Sequence, residues 1–410
     1  GVYYTPQPVV NFIVRAVDSI IKTEFGLEDG LASTKTKKIK YMRDSKKRID
    51  GFYRTQVEDT KDVPAIQILD PSTGTGTFLR QTILQIYEDF KDKNKGLSEA
   101  ELKKAWNEYV PKNLLPRLNG FELMMAPYAV AHMKLAMVLK DTGYDFGSEE
   151  RLNVYLTNTL EEPGNSDGQM TIFDDPLASE SIAANAVKKN EGINVIIGNP
   201  PYSGISSNSG EWITKLIEDY KYINGVHFGE RKHWLQDDYV KFIRLNEAFL
   251  ERRSYGVLAF INNHAFIDNP TFRCMRYHLL ETFDQIYILD LHGNVMKKEV
   301  SPNGEKDENV FDIQQGVSIN FFVKNGSHKK SLADIFHAEI YGRRESKYNI
   351  LSKSSFDDIK WEKLNPNEPF YFFIPKILMR FYTMIFFTMP EITITKNKQL
   401  IFFYRNIRRS

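Results

Sequence analysis

The sequence predicts an α/β fold: a mostly parallel, doubly wound sheet of seven strands with helices on both faces. Short apolar runs alternate with longer segments of helical spacing, which is typical of such sheets. A glycine-containing turn directly follows the first apolar run, and a pair of prolines follows the fourth. The last two predicted strands have no helical segment between them, so we expect the last strand to be antiparallel.

The predicted elements follow each other in a regular order. The first helix is predicted over residues 6–22, with Thr5 as its N-cap and Pro6 as its first residue. The strands are predicted at 65–70, 116–122, 151–157, 193–198, 256–261, 285–291 and 316–323. Further helices are predicted at 77–90, 97–109, 126–140, 238–253 and 271–282.

Composition indicates ordinary globular protein. The chain has 410 residues, of which 42% are hydrophobic and 26% charged, enough to bury one large core or two smaller ones. The net charge of +1 does not favour nucleic acid, so any basic surface must be local. One basic segment, residues 33–48, fits either a solvated loop or an arm that contacts phosphates.

The number of cysteines and the spacing of the histidines exclude further kinds of protein. Cys274 is the only cysteine, which excludes a disulfide framework. No histidine pair has the spacing of metal ligands, so we predict no metal. The sequence shows neither a signal pattern nor an apolar run of bilayer length, and we expect a cytoplasmic protein without a membrane partner.

The alternation of strands and helices fades after about residue 330. We therefore predict one main domain over 1–330, in which 1–60 forms an N-terminal helical and basic segment. Residues 331–410 are aromatic and proline-rich and then basic, and we interpret them as the start of an incomplete region. The chain begins at Gly1 without a methionine and looks like a piece of a longer protein.

The segment Gly198-Asn199-Pro200-Pro201-Tyr202 ends the fourth strand. Asn199 offers a side-chain oxygen that accepts from an amino group, and the Pro200 carbonyl can accept as well. Pro201 continues the extended backbone, and Tyr202 offers a flat face for a planar heterocycle. The segment therefore predicts a site for a planar substrate with an exocyclic amine, although a bare proline pair also ends many ordinary strands.

Two further strand ends carry candidate ligand contacts. Asp70-Pro71-Ser72-Thr73-Gly74-Thr75-Gly76 follows the first strand, and its glycines allow a close backbone approach to a ligand. It is not a phosphate-binding P-loop, because no Gly-Lys-Ser/Thr follows. Glu122 ends the second strand, where a carboxylate can hold both hydroxyls of a ribose. Asn158 follows the third strand, where an amide can read the edge of an adenine.

Together these motifs resemble the adenine-specific, amino-methylating DNA methyltransferases of the gamma group. The resemblance is carried by Tyr3-Tyr4-Thr5-Pro6, the Asp70–Gly76 turn, Gly120-Phe121-Glu122 and Asn199-Pro200-Pro201-Tyr202, in that order. It covers residues 1 to about 325 and is most similar to the methyltransferase core of large single-chain restriction–modification enzymes. It implies a Rossmann-like fold that uses S-adenosylmethionine.

The resemblance also implies roles. Tyr4, Thr5 and Pro6, within the 1–60 segment, would border the methionine end of the cofactor. Asp70, Pro71, Gly74 and Gly76 would form its cradle, with Glu122 on the ribose and Asn158 near the adenine. Asn199, Pro200, Pro201 and Tyr202 would hold an adenine flipped out of double-stranded DNA. Phe266 is a candidate for the other face of that base and could equally belong to the core.

Two alternatives stay open. Enzymes that methylate protein glutamine or RNA use a similar Asn-Pro-Pro-Tyr segment, because an amide or amine nitrogen needs the same hydrogen-bond acceptors. The chain could also be a catalytically incompetent DNA-binding fragment of a restriction enzyme. In the family, nuclease or helicase regions precede the methyltransferase, and residues 331–410 would begin a target-recognition region.

Overall fold

The computed structural model of the chain describes residues 4–375 apart from short gaps. The gaps are residues 45–47, 50–51, 54–55, 148–150, 165–175, 190–191, 203, 205, 230–232, 298 and 328–330. The chain up to Phe373 forms one compact unit. Much of the predicted region 331–410 lies outside the description, which ends at residue 375.

A single nine-stranded sheet organises this unit. Its strands in chain order are β1 Ile68–Asp70, β2 Leu118–Glu122, β3 Asn153–Leu156, β4 Val195–Gly198, β5 Gly256–Asn263, β6 Gln285–Asp290, β7 Val317–Lys324, β8 Asp334–Glu339 and β9 Glu362–Leu364. Their order across the sheet is β9-β8-β6-β7-β5-β4-β1-β2-β3. Strand β7 is antiparallel to both neighbours and β9 is antiparallel to β8, while all other pairs are parallel.

The predicted count of seven strands is wrong. All seven predicted strands are present and β7 is antiparallel as expected, but it lies between β5 and β6. Strands β8 and β9 extend the same sheet beyond residue 330, so that position is not a break in the fold. Strand β8 escaped prediction because its residues alternate between buried and half-exposed, and it has no continuous apolar run.

Helices flank the sheet and connect its strands. They are α1 Gln7–Glu24, α2 Thr77–Lys93, α3 Glu99–Tyr109, α4 Met125–Asp141, α5 Pro176–Lys188, α6 Glu211–Glu218, α7 Asp238–Glu251, α8 Ala265–Asp268, α9 Arg273–Thr282 and α10 Arg344–Lys353. Among the described residues, no helix combines the length and the apolar character needed to cross a membrane.

Helix α1 packs its apolar stripe into the core. Val9, Ile13 and Val17 are buried, and the Phe12 ring meets the Phe321 ring of β7 edge-on at 6.4 Å between centroids. The helix begins one residue later than predicted, so Pro6 rather than Thr5 is its N-cap residue. The Thr5 side chain is therefore available for another contact.

An antiparallel hairpin precedes the main sheet. Strand Thr36–Asp44 pairs with strand Gln56–Pro64. The basic segment 33–48 is thus partly β-structure rather than the loop considered above. The side chains of residues 40–58 lie outside the description, so contact with phosphates stays a prediction.

The strand order reverses between β1 and β4, and the carboxyl ends of these two strands are where a ligand crevice is expected. Strands β1 and β4 are neighbours, and the chain runs from β1 toward β2 and β3 but from β4 toward β5 on the other side. Ligands of open α/β sheets bind at such a reversal, outside the carboxyl ends of the strands. Asp70 and Gly198 are the last residues of these two strands.

Candidate functional site

Asn199 follows β4 at the crevice, and hydrogen bonds hold both ends of its side-chain amide. Its Nδ2 donates to Thr5 Oγ1 at 3.0 Å. Its Oδ1 accepts from the Tyr202 hydroxyl at 2.5 Å. The structure therefore brings the first and the last of the predicted motifs together at one amide group.

Tyr202 is half-buried. Its hydroxyl donates to Asn199 Oδ1, the atom that was predicted to accept a hydrogen bond from the substrate amine. The hydroxyl oxygen is also 3.1 Å from the Ile261 carbonyl oxygen. Burial raises the pKa of Tyr202 well above its ordinary value, so the hydroxyl stays protonated and can donate. The edge of the ring meets Tyr239 at 6.4 Å between centroids. Tyr239 was not predicted to lie near the site, because the sequence shows only that it belongs to a predicted helix.

The turn after β1 contains two buried polar atoms without a described partner. Asp70 Oδ1 accepts from the Ser72 amide at 3.1 Å, whereas Asp70 Oδ2 and Ser72 Oγ accept or donate no hydrogen bond among the described residues. Burial, with a smaller contribution from Glu122, raises the pKa of Asp70 to about 8. A Cβ atom at Gly198 would lie 2.9 Å from Asp70 Oδ1, so the glycine makes room for this carboxyl group.

The two glycines of the turn adopt the left-handed backbone conformation, which favours glycine. Gly74 has φ of 54° and Gly76 has φ of 79°. Gly76 also approaches helix α4, because a Cβ atom there would lie 3.2 Å from Ala131 Cβ. The Pro71 carbonyl accepts from Thr159 Oγ1 at 2.5 Å, which links the turn to the segment after β3. These contacts fix the conformation of the turn at the carboxyl end of β1.

Glu122, at the end of β2, joins this turn to the neighbouring strand. Its Oε2 accepts from the Gly74 amide and its Oε1 from the Met124 amide, both at 2.8 Å. Each carboxylate oxygen retains a second acceptor site. The glycine turn and the acid one strand away are thus in direct contact, and the carboxylate can still accept from hydroxyl groups.

Asn158 forms hydrogen bonds with other residues of the chain. Its Nδ2 donates to Asn208 Oδ1 at 2.9 Å, and its Oδ1 accepts from the Leu160 amide at 3.1 Å. Lys188 Nζ donates to the Asn158 carbonyl at 2.7 Å, and burial lowers the pKa of that amine to about 8. Asn158 therefore ties the end of β3 to the loop after Tyr202, and a role toward adenine stays a prediction.

The remaining predicted residues differ in exposure. Tyr4 is 68% exposed, Pro200 is buried and Pro201 is exposed. Phe266 is fully buried between Phe322 and Phe373, with 6.4 Å between ring centroids in both pairs. The base-stacking role suggested for Phe266 is therefore corrected: the ring belongs to the core, which was the alternative considered above, because it is fully buried among other aromatic rings.

The fold and site together define a mixed α/β domain with an amide, a glycine turn and a carboxylate around one crevice. Residues 119–296 match the sequence model of the Eco57I restriction-modification methylase family. This segment, which contains both Glu122 and Asn199, covers less than half of the chain and is similar to methylase domains of that family, and the predicted resemblance is confirmed. Comparison with curated proteins finds no match.

Solved structures of restriction–modification enzymes share the fold. The Type ISP enzyme LlaBIII bound to DNA is 24% identical, with a TM-score of 0.67 over 90% of this chain and 22% of that chain. A nuclease-deletion mutant of the Type ISP enzyme LlaGI with a DNA substrate mimic is 24% identical, with a TM-score of 0.64 over 90% and 26%. The DrdV–DNA complex is 26% identical, with a TM-score of 0.61 over 89% and 30%. The chain thus spans less than a third of these proteins.

Proposed function

We propose that this chain is a site-specific DNA methyltransferase, part of a restriction–modification system, that uses S-adenosylmethionine to methylate the exocyclic amine of a flipped adenine. The observation that carries the proposal is the position of Asn199. Its amide lies at the carboxyl end of β4, beside the reversal of strand order, and is oriented by Thr5 and Tyr202. An acceptor fixed in this way suits an amino group rather than a carbonyl.

The residues around the crevice fit the cofactor. Asp70 Oδ2 and Ser72 Oγ offer polar atoms that no described residue uses, and Glu122 can accept from two ribose hydroxyls. Gly74 and Gly76 allow close approach of the backbone. The strand order β6-β7-β5-β4-β1-β2-β3 supports a Rossmann-like methyltransferase fold.

The chain's own groups perform binding and orientation. When bound, S-adenosylmethionine supplies an electrophilic methyl group. Asn199 Oδ1 and the Pro200 carbonyl accept the two N–H groups of the amine and leave its nitrogen lone pair free to attack. The Tyr202 ring supports the base once it has left the duplex, which costs a few kcal/mol of stacking and pairing. The methylated nitrogen then releases one proton to water.

The proposal is tested with the wild-type chain, Asn199→Ala, and Asn349→Ala as a matched control. Asn349 is an exposed asparagine on α10. Calorimetry measures S-adenosylmethionine binding, and mass spectrometry of digested duplex DNA measures N6-methyladenine. We expect all three proteins to bind the cofactor, and only Asn199→Ala to lose methyl transfer by at least a hundredfold.

Other outcomes separate the alternatives. Methyl transfer to protein glutamine or RNA, but not to DNA, would favour another amino or amide methyltransferase. N4-methylcytosine in place of N6-methyladenine would keep the enzyme class and change the base. Cofactor binding without transfer to any acceptor would favour a catalytically incompetent DNA-binding fragment. An active Asn199→Ala variant would refute the catalytic assignment.

A further inference from the structure

A second cluster of polar side chains lies at the carboxyl ends of β5 and β6, and the proposed methyl transfer does not use it. His264 directly follows β5, Asp290 ends β6, and His292 and Glu299 come in the segment after β6. One ligand-capable atom of each of His264, His292 and Glu299 lies within 4.8 Å of the other two. The spacing of histidines in the sequence did not reveal this group, because two separate strands bring it together.

His264 is oriented by a carboxylate in the way that metal-ligating histidines usually are. Its Nδ1 lies 2.9 Å from Asp290 Oδ1, and both side chains are buried. A proton on Nδ1 leaves the lone pair on Nε2, which is buried and has no hydrogen-bond partner among the described residues. Ligating histidines commonly donate their second nitrogen to a carboxylate, which fixes the ring and its tautomer.

Gly316 leaves space beside this nitrogen. A Cβ atom at Gly316 would lie only 2.3 Å from His264 Nε2. The backbone of Gly316 does not have a positive φ, so its conformation does not require glycine. The absence of a side chain at this position therefore avoids a clash with the buried Nε2 atom.

His292 is held in place by its backbone and by its ring. Its φ of 51° is uncommon for a residue with a Cβ atom, and its amide donates to Asp290 Oδ1 at 2.9 Å. The ring stacks on Tyr341 with 3.9 Å between centroids. Its Nδ1 lies 3.6 Å from Asp290 Oδ2 and 3.9 Å from Glu299 Oε2. The separation between His292 Nδ1 and Glu299 Oε2 is slightly longer than the roughly 3.3–3.4 Å between ligands of a tetrahedral ion with bonds of about 2.0–2.1 Å, so a small shift of the Glu299 side chain would let both bind one ion.

Glu299 completes the group and connects it to solvent. Its Oε2 accepts from the Asn294 amide at 2.8 Å, which orients the carboxylate. The side chain is 18% exposed, whereas those of His264 and His292 are nearly inaccessible. An ion can therefore reach the cluster from the Glu299 side.

A network of protonated histidines does not account for all of these atoms. Asp290 can accept from both rings, but protonated rings would also carry N–H groups at both Nε2 atoms. In His292 that N–H would face Glu339 Oε1 at 3.5 Å, whereas His264 Nε2 is buried with no hydrogen-bond partner among the described residues. A buried donor without an acceptor is costly at His264, whereas a cation would use the Nε2 lone pair of its neutral ring.

The other histidine–carboxylate group in the described residues is different. Glu247, Glu251 and His278 also lie close enough to share an ion. There, however, Glu247 accepts from His278 Nδ1 at 2.9 Å and from the Tyr220 hydroxyl at 2.7 Å, and Arg244 donates to Glu251 at 2.9 Å. Protein donors already satisfy these carboxylates, so this group is an ion-pair network.

We propose that His264, His292 and Glu299 bind one divalent transition-metal ion, with Zn²⁺ as the best match to two imidazole nitrogens and one carboxylate. This ligand set is typical of zinc, and Asp290 orients the first ligand from outside. The ion would cross-link the segments that follow β5 and β6. The proposal is independent of methyl transfer and assigns the ion a binding role only.

The test uses the full chain after treatment with a chelator and removal of the chelator. Calorimetry with ZnCl₂ is applied to wild type, His292→Asn, Glu299→Gln and a control, His132→Gln. Asparagine tolerates a left-handed backbone, and the His132 side chain on α4 lies outside the cluster. Circular dichroism checks that each variant is folded.

We expect wild type and His132→Gln to bind one Zn²⁺ with equal affinity and to melt at a higher temperature when it is present. His292→Asn and Glu299→Gln should each weaken that binding at least tenfold. No binding by folded wild-type protein would overturn the proposal. So would wild-type affinity in folded Glu299→Gln, which would place any bound zinc elsewhere in the chain.

Discussion

Thr5 Oγ1 accepts a hydrogen bond from Asn199 Nδ2 at 3.0 Å, and this contact determines which way the Asn199 amide faces. With Nδ2 directed to Thr5, Oδ1 points to the other side, where Tyr202 lies. The N-terminal segment before α1 is therefore a support for the proposed catalytic amide. This role differs from the cofactor contact that the sequence motif implies for Thr5.

Thr5→Val removes the hydroxyl while keeping the shape of the side chain. We expect it to lower kcat about fivefold, since a hydrogen bond contributes about 1 kcal/mol, and to leave the cofactor Kd nearly unchanged. Methyl-transfer kinetics and calorimetry measure the two quantities, and Thr5→Ser is the control that restores the hydroxyl. A variant with weakened cofactor binding and unchanged kcat would instead support a cofactor role for Thr5.

Tyr202 makes two separable contributions, through its hydroxyl and through its ring. The hydroxyl takes one of the two acceptor sites of Asn199 Oδ1, so it must share that oxygen with an incoming amine or leave it. Tyr202→Phe should therefore keep most of the activity. Tyr202→Ala also removes the ring and should raise the KM for DNA by roughly 5- to 150-fold, because stacking on one base contributes about 1–3 kcal/mol. Equal losses in both variants would show that the hydroxyl, not the ring, matters.

Glu122→Gln should weaken cofactor binding by roughly 10- to 100-fold, as expected for hydrogen bonds to a charged group of about 1.5–3 kcal/mol. The amide nitrogen of glutamine cannot accept from the Gly74 or the Met124 amide, so one of these bonds is also lost. Calorimetry with S-adenosylmethionine measures the effect, and Glu162→Gln is a matched change at an exposed site. Unchanged affinity in a folded Glu122→Gln protein would remove the proposed ribose contact.

Gly76→Ala should destabilise the chain by about 1–3 kcal/mol, because alanine at φ of 79° is strained and its Cβ would press on Ala131. Gly96→Ala is the matched control: no atom lies within 4 Å of the added Cβ and φ is not positive there. That change should be neutral or slightly stabilising. Urea unfolding followed by circular dichroism compares the two, and equal stabilities would contradict the packing described for Gly76.

The sequence predicted those parts of the fold that depend on local patterns. The run 195–198 is continuously apolar because both faces of the central strands are covered, and the turns after such strands carry their own glycines and prolines. Strand β8 is the second strand from one end of the sheet. Its alternation of buried and half-exposed residues is too weak a pattern to predict a strand. Contacts between distant segments, such as Thr5 with Asn199 or His264 with Asp290, could not be predicted, because they depend on how strands pair. The position of Phe266 could not be predicted either, since an aromatic residue shortly after a strand can face a binding site or pack in the core.

The pKa of Asp70 leads to a prediction about pH. Its folded-state pKa of about 8 is far above the ordinary value of 3.8, mainly because of burial. The folded chain therefore holds this proton more tightly than the unfolded chain does. As pH rises from about 4 to about 8, the unfolded carboxyl ionises while the folded one resists, so the contribution of Asp70 to the free energy of unfolding falls. Above about 8 the difference becomes constant.

Asp70→Asn removes this titration, since asparagine stays neutral. The free energy of unfolding of Asp70→Asn minus that of wild type should therefore increase between pH 5 and pH 8 in the absence of cofactor. Urea unfolding at both pH values measures that difference, and Asp141→Asn at the exposed end of α4 is the matched control. A difference that stays constant from pH 5 to pH 8 would mean that Asp70 ionises in the folded chain as readily as in the unfolded one. The unpartnered Oδ2 would then have to be reached by water, because burial without a partner is what raises the pKa of this group.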